Sequence, residues 1–216
     1  MTESEQRVIA MDLDIAVTAD EATQPKKDIK IIALDMDGVM NSTTLVRKWI
    51  DDKFKELESV YPDYNELRAT VRQAFRDAFR SSHELVFPVF AERLTRIVKE
   101  TGAIIVWSST WRTLPEYERD IDFAKEMFTR RGMPGHALVG YTPALGGDWW
   151  GNVTRGSEIA AWIHGNTIGN VVKCAVLDDR FDAGEGLPEV AKYFHTWESD
   201  GLTEEITEQV IQYLNE

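Results

Sequence analysis

The chain has 216 residues, enough for one domain or one domain with an elaboration, and 43% hydrophobic with 10% aromatic residues supply a real core. A formal charge of −13 opposes broad, non-specific attraction to nucleic acid or an anionic membrane, and leaves room for a local basic pocket. The single cysteine, Cys174, excludes an intrachain disulfide and a cysteine-based zinc site, and its apolar surroundings read as core.

Residues 1–28 mix acids with a β-like patch from Val8 to Val17 and close in a linker-like run. They read as an acidic tail or an added edge strand. The patch echoes a later acidic motif but lacks its glycine, so it is a decoy for the active site. The core is expected over residues 29–216.

The central stretch is Ile31-Ile32-Ala33-Leu34-Asp35-Met36-Asp37-Gly38. An apolar run this short, without alternation, predicts a strand buried on both faces of a parallel sheet. Ligands of such sheets collect at the carboxyl ends of the strands. If the strand persists to Asp37, both carboxylates project to one side, where a cation or a retained proton must offset them.

A second strand is predicted at Ala103–Trp107, preceded by a helix that Pro88 starts and Gly102 stops, with Val89, Phe90, Leu94, Ile97 and Val98 as its apolar face. The long crossover also holds two amphipathic stripes. One is Leu45, Trp49, Ile50, Phe54 and Leu57; the other is Leu67, Val71, Phe75 and Phe79, with Pro62 between them. This predicts a small helical cap over about residues 42–86, beside the site. Its eight basic and eight acidic residues make it no electrostatic clamp for a polyanion.

Ser108-Ser109-Thr110-Trp111-Arg112 follows the second strand, and hydroxyls with a guanidinium at a strand end suit an anion. A helix is expected from about Pro115 to Arg130, with Phe123, Met127 and Phe128 inward, then a turn and a short apolar piece near Leu138-Val139. The loop carrying Trp149 and Trp150 is read as packing against the core. Arg155 opens the next helix, which is the wrong charge for a helix amino terminus unless an anion binds there. A third strand, Val171–Leu177, runs into Asp178-Asp179-Arg180, and a fourth spans Lys192–His195. A last helix after Gly201 turns Ile206, Val210, Ile211 and Leu214 inward. The histidines His83, His136, His164 and His195 show no metal-ligand spacing and read as structural or exposed.

Three strands of one α/β sheet thus deliver Asp35/Asp37, Ser109/Arg112 and Asp178/Asp179 to one edge, with Arg155 nearby. An oxygen-only acid set calls for a hard cation, Mg²⁺ rather than Zn²⁺. Cations and hydroxyls beside it describe a phosphate site, where an aspartate can act as nucleophile.

The ordered set of Leu34-Asp35-Met36-Asp37-Gly38-Val39, a Ser/Thr strand end, a basic residue opening a helix and an Asp-Asp strand end resembles the haloacid dehalogenase (HAD) superfamily over about residues 29–214. It is similar to the small HAD-like domains of RNA-repair (Swiss-army-knife) proteins, which share a pattern like Trp107-Ser108-Ser109-Thr110-Trp111. The Leu177-Asp178-Asp179-Arg180 segment also resembles the phosphatase half of phage polynucleotide kinase-phosphatases. The resemblance implies a Rossmann-like three-layer sandwich with a mainly parallel sheet and the first strand central.

For the site, the resemblance implies Asp35 as nucleophile and Mg²⁺ ligand. Asp37 would be general acid/base, lending its carbonyl to the metal. Ser109 would hold the phosphoryl group, with Ser108 or Thr110 as the alternatives one residue away, and Arg155 would replace the family's usual lysine. Asp179 with Asp178 would complete the metal site.

The expected activity is Mg²⁺-dependent hydrolysis of a terminal phosphate ester through an aspartyl-phosphate. The substrate would be a nucleotide, another small ester or a locally held nucleic-acid end. The alternatives are a non-catalytic HAD-like binding module and a dedicated polynucleotide 3′-phosphatase. Site cations are few, so no extended nucleic-acid groove is expected. Nor is a membrane partner: no apolar stretch reaches spanning length and the amino terminus is unlike a secretion signal, so the expected setting is the cytoplasm.

Overall fold

A computed structural model describes residues 26–79, 85–115, 120–146 and 153–216. The expected tail up to residue 25, the Trp149/Trp150 loop, the first turn of the helix from Pro115, His83 and the side chain of Phe79 lie outside these residues.

Among the described residues five parallel strands form the sheet: β1 (Asp28–Leu34), β2 (Ile104–Trp107), β3 (Leu138–Tyr141), β4 (Asn170–Asp178) and β5 (Ala191–His195). Their spatial order is β3-β2-β1-β4-β5, with β1 in the centre. The reason β1 lacks alternation is visible in its packing. Ile32 and Leu34 enter the larger core cluster on one face, while Ile31 and Ala33 enter the smaller cluster on the other. All four are at most 1% exposed. The apolar piece at Leu138-Val139 is a fifth strand, short and at the sheet edge, one more than the sequence pattern counted.

The helices are α1 (Thr43–Leu57), α2 (Tyr64–Phe79), α3 (Pro88–Thr101), α4 (Ile121–Arg130), α5 (Arg155–Gly165) and α6 (Glu204–Asn215). Pro88 sits at the start of α3 and Gly102 at its end, as expected. Its buried face is Phe90, Ala91, Leu94, Ile97 and Val98; Val89 is exposed, because it falls on the solvent side of the first turn. Helix α4 begins at Ile121, since Asp120 is extended and its carboxylate accepts from the Asp122 N–H at 2.8 Å. Ala124, Met127 and Phe128 face the core; Phe123 does not, and is exposed.

Helices α1 and α2 pair as the expected hairpin, held by an edge-on contact of Trp49 with Phe75 at 5.5 Å. No residue of α1 is fully buried, so the hairpin packs on the domain's periphery. Neutral in total, the insert is uneven in detail. Arg68, Arg72 and Arg76 share one face of α2 and, with Ile50, Phe54, Val71 and Phe75, line a cavity of about 380 Å³. Among the described residues no helix is long and apolar enough to cross a membrane.

The chain moves from β1 outward to β2 and β3, then returns to lay β4 and β5 on the other side. The switch therefore falls between β1 and β4, where connections leave in opposite directions and open a crevice beyond the strand ends.

Candidate active site

Strand β1 stops at Leu34, so the condition that it persist to Asp37 is not met. One further ladder bond, from the Asp35 N–H to the Leu177 carbonyl at 2.9 Å, holds Asp35 at the mouth of the β1/β4 crevice. The register aligns Leu34 with Leu177, so Asp35 and Asp178 follow at the same level. Carboxylate oxygens of Asp35, Asp178 and Asp179 all lie within 4.8 Å of one another. Asp35 and Asp178 are 5% and 0% exposed.

Asp37 does not join this group. The chain has already turned at Met36, so the same-side geometry of a continuing strand is lost, and Asp37 is exposed. Its carboxylate is gripped from two sides, accepting from Asn41 Nδ2 at 2.9 Å and from Trp111 Nε1 at 2.8 Å. Neither contact was legible beforehand. Asn41 lies only four residues on, in a turn that also bonds its Oδ1 to the Gly38 N–H at 3.0 Å. Trp111 comes from 74 residues away. Its place in the Trp-x-x-x-Trp pattern was visible, its task was not.

Gly38 has φ +68, and a Cβ there would run into the Asp179 side chain. The glycine is needed for both the left-handed turn and the room it leaves. Helix α5 has a comparable requirement. A Cβ on Gly156 would strike the Glu185 carbonyl, so this glycine lets the helix start approach the loop after β4 and carries Arg155 into the site.

Arg155 is 5% exposed, with its Nε 3.8 Å from Asp178 Oδ2, an ion-pair distance too long for a hydrogen bond. Among the described residues, Arg155 Nη1 and Asp178 Oδ2 are buried without a hydrogen-bond partner. A donor and an acceptor left in this way are costly unless a ligand completes them. The other Asp178 oxygen accepts from the Arg180 N–H at 2.9 Å.

At the strand end after β2, Ser109 is fully buried, its oxygen accepts from the Trp111 N–H at 3.4 Å, and its hydroxyl lowers the Asp35 carboxyl; Ser108 Oγ accepts from Thr142 Oγ1 at 3.4 Å and Thr110 is exposed. Arg112, expected at an anion, is spent on the protein itself. Its donors reach the carbonyls of Thr142 at 3.0 Å, Ser108 at 3.0 Å and Ser109 at 2.6 Å, and the Glu158 carboxylate at 2.5 Å. It fastens the Ser108-Ser109 turn to α5; Glu158, which neutralises it, went unnoticed in the sequence. Arg180 is similarly engaged by both oxygens of Asp182 at 2.9 Å.

Burial raises the Asp35 carboxyl above the ordinary aspartate value, opposed first by Arg155 and then by the Ser109 hydroxyl and the Met36 N–H. Burial and then the Asp35 charge push Asp178 up to about 7 and Asp179 up to about 6. Three acids that resist ionisation together, all with oxygen donors and one with an unpartnered buried oxygen, fit a hard divalent cation.

An α/β domain with acids at the β1/β4 switch and a buried basic residue opening α5 has the architecture of the HAD-like hydrolases. The chain belongs to the family described as the HAD domain in Swiss Army Knife RNA repair proteins, whose family model matches residues 31–206. Among solved structures, the chain is similar to the HAD domain of the effector protein Lem4 from Legionella pneumophila, with 14% identity, TM-score 0.48, and coverage of 88% of this chain and 97% of that one. It is also similar to a haloacid dehalogenase-like hydrolase from Streptococcus pneumoniae, with 13% identity, TM-score 0.40, and coverage of 84% and 90%. Neither likeness bears on substrate. No curated protein matches the chain.

The crowding of carboxylates has a direct consequence for stability. Asp178 holds its proton more tightly in the folded protein, at about 7 against an ordinary 3.8, so metal-free stability falls as pH rises across that window. Asp178→Asn should therefore raise the melting temperature of chelated protein at pH 7.5, by roughly 2–4 °C for each kcal/mol of repulsion relieved. The gain should shrink at pH 5.5, where the wild-type group is largely neutral. A thermal-shift series in EDTA tests this, and a gain independent of pH would refute it.

Proposed function

We propose that this HAD-family domain is a Mg²⁺-dependent phosphohydrolase acting on a terminal phosphate ester through an aspartyl-phosphate. The observation that carries the reading is the pairing of a buried, partnerless Arg155 nitrogen with three converging carboxylates, one of them Asp35 at the crevice mouth. A non-catalytic binding module has no chemical need for that arrangement, nor for an Asp37 fixed by two donors.

Asp35, Asp178 and Asp179 would hold the cation, with the Asp37 carbonyl as the expected fourth protein ligand. A divalent cation there supplies the positive charge that lets Asp35 stay ionised and neutralises phosphoryl oxygens. The buried Ser109 hydroxyl favours the ionised form of Asp35, and Arg155 offers its open donor to an equatorial oxygen. An oxygen of Asp35 attacks phosphorus and forms a P–O bond as the ester P–O bond breaks. The leaving oxygen takes the proton carried by Asp37. Asp37, now a carboxylate, takes a proton from water as that water attacks phosphorus, and Asp35 is released with inorganic phosphate. Asn41 and Trp111 keep Asp37 pointed outward, towards the leaving group and clear of the carboxylate cluster. Thr110 is at the open edge, available to an incoming phosphate; Arg112 holds the turn on which Ser109 sits.

A second reading, a polynucleotide 3′-phosphatase, is favoured by one observation: Arg68, Arg72 and Arg76 share a face of α2 and, among the described residues, no carboxylate lines their cavity. Strand phosphates could follow that face.

Asp35→Asn should lower turnover of phosphate esters more than a hundredfold with the fold retained by circular dichroism. Residual activity above a few percent would remove Asp35 as nucleophile. EDTA should abolish activity and Mg²⁺ restore it; hydrolysis that persists after exhaustive chelation would point to other chemistry. Asp37→Asn should slow both half-reactions and, with a good leaving group, let phosphorylated enzyme build up. Mass spectrometry of the quenched variant should then find one phosphate on the peptide carrying Asp35, and phosphate on a serine or histidine would overturn the route. Lengthening a 3′-phosphorylated oligonucleotide beyond three units should improve kcat/KM by less than about tenfold, or ~1.4 kcal/mol. A thousandfold gain, lost steeply with salt, would instead support strand binding along α2.

A further inference from the structure

Directly beside the carboxylates lies a group of rings for which catalysis has no use. Phe181 opens the short 3₁₀ turn Phe181–Gly184 three residues past Asp178, and Trp197 follows β5 by two residues. Their exposures are 69% and 59%, high for residues so close to a buried site. Between them stands His195. Phe181 stacks on it at 4.5 Å and 12°, and Trp197 meets it edge-on at 4.5 Å and 87°. Phe181 and Trp197 are themselves nearly perpendicular, at 6.3 Å and 80°. The arrangement is a corner with two exposed ring surfaces.

The corner is tied to the site by backbone. His195 Nε2 lies 3.1 Å from the Asp179 carbonyl, and the Thr196 N–H bonds the Asp178 carbonyl at 3.1 Å. The loop continues to Glu198, whose carbonyl accepts from the Thr43 N–H at 2.9 Å, where α1 begins. The loop that carries Trp197 therefore runs from the carboxylate-bearing strand ends to the start of the helical hairpin.

Exposed aromatic surface costs free energy in water, and here it is doubled and fixed in place instead of being folded into the core. Arg180, which directly precedes Phe181, is already paired with Asp182. Flat, neutral π-surfaces suit a flat, neutral group, and a nucleobase stacks on aromatic side chains without regard to sequence.

We propose that Phe181 and Trp197 form a stacking platform for the base of a nucleobase-bearing phosphate ester, either a free nucleotide or the terminal nucleotide of a strand. The proposal rests on the phosphate-ester reading above and narrows its substrate class. His195 serves as a positioning residue, holding Phe181 flat by its own contact with the Asp179 carbonyl. The platform selects for a base, and the acids and Arg155 act on the phosphate.

The test measures binding apart from turnover. In an Asp35→Asn background, calorimetric affinities are compared for adenosine 5′-monophosphate against ribose 5-phosphate, and for adenosine 3′-monophosphate against its abasic counterpart. A 3′-phosphorylated trinucleotide distinguishes a strand end from a free nucleotide as the preferred source. The base-bearing member of at least one pair should bind at least tenfold tighter. Phe181→Ala and Trp197→Ala should each weaken it by about five- to a hundredfold, leave the abasic ligand within twofold, and preserve the melting temperature because both rings are exposed. Phe181→Tyr should retain the preference. No base preference in the parent, or a preference that survives both alanine substitutions together, overturns the platform. If neither ester is hydrolysed by wild-type protein while the ring-dependent preference holds, the phosphatase reading fails and the platform stands. If esters are hydrolysed without base preference, the platform alone fails.

Discussion

The organising constraint of this domain is a concentration of negative charge where water is scarce. Asp35, Asp178 and Asp179 converge at the ends of two neighbouring strands, and the Arg155 guanidinium is buried against them. Like charges at this spacing in a low-dielectric setting hold their protons well above the ordinary range. A carboxylate cluster with one counter-charge is a poor way to stabilise a fold, since removing charges from water costs more than imperfect pairing returns. It is a good way to keep a place for a cation and an anionic group together.

The rest of the architecture enforces that crowding. Parallel pairing puts β1 and β4 side by side with matched ends, and the reversal of strand order opens the crevice between them. Both faces of β1 are sealed by apolar clusters, so the strand cannot shift to relieve the repulsion without exposing its core residues. Gly38 yields the volume that Asp179 fills, and Gly156 lets the start of α5 press against the loop after β4. Arg112, with its donors spread over four carbonyls and Glu158, holds the turn that supplies the Ser109 hydroxyl. The outward Asp37, bound to Asn41 and Trp111, is thereby given an environment distinct from that of Asp35, two residues away. Two carboxylates in such different settings suit two different tasks.

Around this centre the surface is divided. The exposed rings of Phe181 and Trp197 sit at the rim, and the arginine face of α2 lies on the peripheral hairpin. A chain of net charge −13 has few cations to spend. It has grouped three of them on one helix face and left the rim to neutral aromatics, an uneven distribution that whole-chain charge conceals.

How much of this was legible in the sequence follows from the range of the physics involved. Strand β1, the caps of α3 and the acids that end β1 and β4 are local facts: an apolar run, a Pro start, a Gly stop, charged residues where the run ceases. They are readable because secondary structure and its termination depend on neighbouring residues. Arg155 was also readable, as a charge at odds with its helix end. The partner of each charge was not. Arg112 and Arg155 look alike as single residues; one is consumed by carbonyls and Glu158 and the other keeps a free donor, a difference made by contacts 30 to 46 residues away in the first case. The grip of Trp111 on Asp37, the withdrawal of Asp37 from the carboxylate cluster and the ring corner of Phe181, His195 and Trp197 are likewise products of strand order. Residue type and spacing determined which chemistry this chain can carry. Tertiary packing alone decided which donors remain unspent, because hydrogen bonds and burial are allotted by proximity in space.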